Sequence, residues 1–301
     1  MNEGYFLVFL TAFISGFSIF INKFGVGIFQ NPEIYTFLRV GLVAFILGLI
    51  FLISEPKKIK DLKKREWFFL ALIGLVGGSI PFLLFFKGLK ITSAAESSFI
   101  HKTMFLWVAI LATFFLKEKV DRKFLFGALI LLLANAFLLK KFSFAPDKGD
   151  FLVLIATIFW SVENILSKHL LSTSDLDGKT VAFGRMFFGA IFILIYLVLT
   201  NQASQIFVLN QRQIFWVFLT GIILLFYVLT WYSGLKFIPV SKATTILLLG
   251  SPITTTLNLI SGTKIPSQEI ISGVLVLVGM VSVFGAKKIL ENFKSFLYAR
   301  A

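Results

Sequence analysis

The sequence predicts an all-α integral membrane protein, with ten transmembrane helices folded as two inverted five-helix repeats around a central cavity. Three observations carry this expectation. The 301-residue chain is 57% hydrophobic and 15% charged, with a mean hydropathy of +0.91. Its apolar stretches approach the ~20 residues that a helix needs to cross a bilayer, and they lack the short alternation of barrel strands. The second half of the chain also repeats the first.

The first span covers roughly residues 4–24. The MNEG start has no basic leader and no small-residue cleavage site follows, so this span is expected to be retained. Spans two and three cover 34–53 and 67–87, the latter holding Gly74 and Gly78, a GxxxG signal for close packing. The fourth, 95–116, must begin near Ala95, because residues 103–116 alone are too short to cross. The fifth, 124–140, is the shortest. The second half offers 149–170, 180–200, 213–234, 241–262 and 268–287. Short loops leave no room for a separate soluble domain.

The net charge of +14 is explained by loops rather than by nucleic acid. Of 29 Lys and Arg residues, 18 fall after spans two, four, six and eight or in the C-terminal tail, against 8 on the opposite side. That excess predicts cytoplasmic termini in a bacterial inner or plasma membrane, with the lipid bilayer as the surrounding partner. Cysteine is absent, which removes disulfides, thiolate nucleophiles and zinc-thiolate sites. No metal or cofactor is expected, and no pattern specifies an oligomeric state.

The repeat is visible residue by residue. GYFLVFLTAFISGFSIFINKFG from Gly4 matches GDFLVLIATIFWSVENILSKHL from Gly149. YTFLRVG matches VAFGRMF, setting Arg39 opposite Arg185, and Gly88-Leu89-Lys90 falls opposite Gly234-Leu235-Lys236. The halves divide as 1–145 and 146–301. A copy with an odd number of spans enters the membrane in the opposite sense to its twin, which is the inverted-repeat plan of many secondary transporters.

On these residues the chain resembles the drug/metabolite transporter superfamily, in its EamA-type branch. GLKITSAAESS, GLKFIPVSKATT, Glu118, Gly127, Pro252, Gly273 and Gly279 carry the resemblance. It implies cytoplasmic termini, a central cavity between the halves, and export or exchange of small metabolites, often amino acids. Two positions depart from the family pattern. Lys264 stands where a glutamate often ends span nine, and Leu106, opposite Pro252, stands where span four often has a proline.

Ionisable residues inside spans are costly unless they face protein or water, so they are the candidate site. His101 and Lys102 lie roughly 10 Å below the end of span four at ~1.5 Å per residue. Lys102 shares a face with Ser98 and Phe105, matched in the second half by Thr244, Leu248, Ser251, Thr255 and Asn258. Pro252 frees the carbonyl of Leu248, either as a ligand contact or as a plain kink. Trp160, Glu163, Asn164 and Ser167 form one face of span six, and Ser15, Ser18 and Asn22 form one face of span one. Span eight adds Tyr227, Thr230, Trp231 and Gly234. The expected substrate-binding set is therefore Lys102, Glu163, His101, Ser98, Trp160, Asn164, Ser18, Asn22, Tyr227, Trp231, Thr244, Leu248 and Ser251. Glu163 is expected to pair with Lys102 or His101, while Arg39 and Arg185 are expected to snorkel to the interface.

These residues point to a secondary transporter of a small polar molecule, with Glu163 or His101 available as a proton carrier. An intramembrane enzyme would need clustered acids and histidines, and a channel would need a filter or a charged ring. Neither pattern is present. A Lys102 Schiff-base protein disagrees with the ten-span repeat.

Overall fold

The computed structural model describes residues 3–89, 91, 94–137, 147–262 and 266–285. Described residues form helices without strands. The first half contains α1 (Glu3–Val26), α2 (Pro32–Ser54), the short α3 (Pro56–Lys60), α4 (Lys64–Ile73), a π-helical turn (Gly74–Ser79), α5 (Ile80–Leu89), α6 (Ala94–Lys102), α7 (Met104–Phe115) and α8 (Arg122–Ala136). The second half contains α9 (Lys148–Thr173), α10 (Gly178–Leu199), α11 (Gln211–Phe237), α12 (Val240–Leu247), α13 (Gly250–Ile260) and α14 (Ser267–Phe284). Eight stretches are long and apolar enough to cross a membrane, and Phe99–Phe115 adds a shorter apolar helix. The protein is thus an all-α multi-span membrane protein. At the fifth expected span α8 has 15 residues and is followed by Phe137, and residues 138–140 of that span lie outside the described residues.

Helix starts follow local chemistry. Asn31 and Asp177, opposite each other in the repeat register, accept the Glu33 and Thr180 amides at 3.2 and 2.9 Å, opening α2 and α10. Asp147 and Asp150 form a reciprocal capping box at α9, as Asn210 and Gln213 do at α11.

Packing is reciprocal between the halves. α1 lies on α11 and α5 lies on α9, while α2 meets α10 and α8 meets α14. The α1–α11 crossing brings Gly4 to Gly234, where an added Cβ would stand 3.0 Å from the facing carbonyl. The repeat-related crossing brings Gly88 to Gly149, with the Gly149 carbonyl 2.7 Å from an added Cβ. The expected close packing at Gly74 and Gly78 occurs against Phe188 and Gly189 of α10. Buried residues from both halves share one large apolar cluster. Phe114, Phe115, Leu125 and Phe126 instead point outward, as lipid-facing side chains do.

Two spans are interrupted at matched positions. Thr103 separates α6 from α7, and Leu248–Leu249 separate α12 from α13. With Leu106 opposite Pro252, the first break falls opposite the second. Pro252 explains the second, since it has no amide hydrogen for the Leu248 carbonyl. That carbonyl is not left open, because Ser251 N–H donates to it at 3.1 Å. The first break needs no proline: Leu106 N–H bonds Thr103 O at 2.9 Å, and the Thr103 hydroxyl donates to Ile100 O at 2.6 Å.

Glu118 fixes the second broken span at one end. Its carboxylate accepts the Val240 amide at 2.7 Å, the Ser241 amide at 3.1 Å and the Ser241 hydroxyl at 2.5 Å. It therefore caps α12 from the other half of the chain. Lys264, in place of the matching glutamate, lies outside the described residues.

Candidate functional site

The face of α9 predicted from spacing is buried. Trp160, Glu163, Asn164 and Ser167 all point inward, with Glu163 2% exposed. Glu163 Oε1 accepts hydrogen bonds from Ser167 Oγ at 2.6 Å and Tyr232 OH at 2.7 Å. Opposite lies Gly77, where an added Cβ would stand 2.9 Å from Glu163 Cδ and 3.0 Å from its Cβ. A side chain at Gly77 would displace the carboxylate.

The π-helical turn around Gly77 takes one extra residue into the ladder, with Ile80 N–H bonding Leu75 O. The Gly77 carbonyl accepts two side-chain donors, Arg185 Nη2 and Trp160 Nε1, each at 3.1 Å. Arg185 is buried, with Glu163, Tyr227 and Tyr232 in electrostatic reach. The expected snorkelling is therefore not observed for Arg185. Its guanidinium bonds a carbonyl inside the bundle, with Glu163 in electrostatic reach, so it need not reach the interface.

An aromatic wall adjoins these charges. The His101 and Trp160 rings meet edge to face, with centroids 4.8 Å apart. Phe85 lies 5.6 Å from each, and Phe82 lies 5.3 Å from Trp160. Asn164 Nδ2 donates to Trp160 O at 2.8 Å. Three buried polar atoms here have no protein partner: His101 Nδ1, Asn164 Oδ1 and Arg185 Nε. Buried polar atoms are seldom left unpaired, so these three atoms mark the cluster as the candidate site.

The ion pair expected between Glu163 and Lys102 is not formed here. Lys102 has Glu269 of α14 in electrostatic reach and makes no ion pair among the described residues. Adjacent helical residues point about 100° apart. His101 faces α9, and Lys102 leaves the helix about 100° away from it. Ser98 lies in α6, but its side chain is outside the described residues.

Other predicted residues gather elsewhere. Asn22 donates to the Ser18 hydroxyl at 2.9 Å and accepts from Tyr35 OH at 2.7 Å, and Tyr35 OH also meets Thr220 at 2.9 Å. Arg39 lies over the Tyr35 ring at 5.0 Å, and its Nε is buried without a partner. This second cluster occupies α1, α2 and α11, mirroring the α9, α10 and π-turn set around Arg185. The mirror is imperfect, since Ser18 stands where the second half has Glu163. Thr244 is buried and donates back to Val240 O and Ser241 O at 3.0 and 3.1 Å. Trp231 and Leu248 belong to the apolar core, and Ser251 is half-buried at the break.

Sequence reasoning missed Gly77, Arg185 and Tyr232 as parts of the cluster. The paired arginines were a visible signal for Arg185. Tyr232 lies one residue beyond the selected Trp231, and Gly77 carries no chemistry of its own.

A buried acid, a buried guanidinium and unpaired polar atoms beside aromatic rings, enclosed by long apolar helices, define a membrane carrier with a polar centre. Comparison with known proteins agrees. Residues 2–140 and 147–285 match the EamA-like transporter family, and the chain belongs to that family. It is 26% identical to the uncharacterized transporter YyaM of Bacillus subtilis, over 91% of this chain and 93% of that protein. It is also 26% identical to the riboflavin transporter ImpX of Fusobacterium nucleatum, over 93% of this chain and 97% of that protein. A solved crystal structure superposes with a TM-score of 0.75 at 18% identity, covering 94% of this chain and 98% of the other, and so shares the fold.

Proposed function

We propose that this protein is a secondary transporter that exports small polar metabolites, amino acids or related compounds, across the cytoplasmic membrane by alternating access. In this reading the chain has ten spans in two inverted halves, 1–145 and 146–301, with both termini cytoplasmic. The observation that carries it is the buried Glu163–Tyr232–Arg185 cluster, with unpaired His101, Asn164 and Arg185 atoms beside it. Arg185 takes the substrate carboxylate and Glu163 takes its ammonium group. Glu163 also carries the coupled proton, since substrate and proton then compete for one carboxylate. The break at Thr103 lets α6 carry His101 relative to the Trp160, Phe82 and Phe85 rings while α7 stays packed on α9.

A second reading keeps the same site but takes a planar heteroaromatic compound. The Trp160, His101, Phe82 and Phe85 rings favour it, because flat ligands gain from offset or edge contacts. The name of the Fusobacterium relative points the same way.

The test is a metabolite profile of the medium around cells expressing wild type or Glu163→Gln at matched membrane levels, with labelled riboflavin uptake run in parallel. An amino-acid-like compound outside only wild-type cells supports the first reading. Wild-type-dependent riboflavin movement supports the second. Equal profiles in both strains and no riboflavin movement would remove Glu163 from the pathway.

A further inference from the structure

A groove of about 480 Å³ runs between α2 and α10, away from the charged cluster. Its size falls within the roughly 300–1,000 Å³ range of small-ligand sites. The lining is wholly apolar, including Gly41, Phe45 and Leu49 of α2, Phe187 and Ile191 of α10, and Ile59 of α3. A polar metabolite would lose its hydration there with no hydrogen bond in return. The void is open at Gly41, where an added Cβ would meet nothing within 4 Å. Phe45 and Leu49 are also exposed on the apolar flank of the helix. From Phe37 to Leu52, α2 rises about 22 Å at ~1.5 Å per residue. That exceeds the ~15 Å depth of one leaflet, half of the hydrocarbon core.

The groove ends at Ile59, within the segment Pro56–Lys60. Lys58 there is held by Glu55 and Asp177, at 2.7 and 2.6 Å. Lys57, two residues before Ile59, and Lys60, directly after it, are exposed and make no ion pair among the described residues. Lys63, Lys64 and Arg65 follow. An apolar trough thus leads to a basic rim at the membrane surface. At the far end, Lys87 lies over the Tyr196 ring at 5.3 Å.

We propose that this groove holds an acyl chain of an anionic phospholipid whose headgroup rests against Lys57 and Lys60. Charge decides the occupant. A second copy of the chain, related by a two-fold axis along the membrane normal, would bring two lysine-rich loops together on one face. Like charges at that distance repel, whereas an anionic headgroup is attracted to such a rim.

Native mass spectrometry of the full-length protein, equilibrated with equimolar phosphatidylglycerol and phosphatidylcholine, tests the proposal. Wild type retains phosphatidylglycerol preferentially, and the preference fades as salt rises. Lys57→Gln with Lys60→Gln lowers that preference by up to about thirtyfold, from two lost lysines at the surface. Gly41→Leu, which fills the open void, lowers retention of both lipids. Equal retention of the two lipids by wild type overturns the proposal. So does a thermally intact Gly41→Leu protein that binds phosphatidylglycerol like wild type, or a lipid-free dimer lost on that substitution. The double lysine variant alters no groove residue, so it stays informative if Gly41→Leu folds poorly.

Discussion

Tyr232 donates its hydroxyl proton to Glu163 Oε1 across 2.7 Å, joining α11 to α9 at the buried acid. Ser167 supplies the second donor to the same oxygen, at 2.6 Å. Hydrogen bonds to charged groups contribute about 1.5–3 kcal/mol. Tyr232→Phe should therefore lower stability by about 2 kcal/mol while leaving the fold intact. Thermal unfolding in detergent checks the first part, and transport by matched membrane amounts checks whether the bond also positions the carboxylate.

Arg185 and lysine are not exchangeable at this position. The guanidinium reaches Gly77 O with one nitrogen and leaves Nε for another acceptor. Arg185→Lys should insert normally and lose most transport, and Arg185→Gln should also destabilise the protein by leaving Glu163 short of a counter-charge. Transport equal to wild type in Arg185→Lys would confine Arg185 to a structural role.

Gly77→Ala should be among the most harmful single-methyl changes in the chain. The new Cβ would stand 2.9 Å from Glu163 Cδ, so the carboxylate must leave Tyr232 and Ser167. A loss of about 2–4 kcal/mol is expected from the collision and the broken bonds. Gly41→Ala, which meets open space, is the control and should change stability little. The two thermal midpoints make the comparison.

Glu118→Gln should cost about 1–2 kcal/mol, because it removes the charge that caps α12 across the halves. The break at Leu248–Leu249 lies on the same helix line, so faster hydrogen exchange over Val240–Leu247 would report the loosened cap. Unchanged exchange there would contradict the capping role.

Acid should weaken one end of the molecule first. Lys179 and then Lys58 hold the Glu55 carboxyl below its usual range. Burial pushes Asp177 the other way, but hydrogen bonds from Lys58 and Thr180 outweigh it, and its pKa is lowered as well. Both folded-state values lie below the unfolded ones. The stabilisation is therefore complete above about pH 4 and is lost as pH falls through the folded values. The groups are partly exposed and salt-screened, so each pair contributes only about 0.2–1 kcal/mol. Between pH 6 and pH 3, the melting temperature of wild type should fall more than that of Asp177→Asn, which can still cap α10. Parallel pH profiles for the two proteins would discount the clasp.

Much of the architecture was legible in the chain. Long apolar runs can be satisfied only by membrane helices, because backbone polar groups have no water to turn to in lipid. Spacing marked the inner face of α9, since residues three and four apart share a side, and all four of its selected residues are buried. The repeated arginines and glycines announced the duplicated plan, and the Gly4–Gly234 and Gly88–Gly149 crossings use it.

Spacing alone did not give partners. Lys102 and His101 were both open as mates of Glu163, yet its carboxylate accepts from Ser167 and Tyr232, and of the two only His101 is seen to face α9. Arg185 looked interfacial, yet its guanidinium bonds the Gly77 carbonyl inside the bundle, with Glu163 in electrostatic reach. Pro252 left the Leu248 carbonyl open to a ligand contact or a plain kink, and the Ser251 amide takes it. By itself the sequence determined the membrane class and the faces that avoid lipid, because hydropathy and helical period are local properties. Only the tertiary structure decided that Glu163, Tyr232, Arg185 and Gly77 meet, because contacts between residues 69 and 108 positions apart depend on how helices cross.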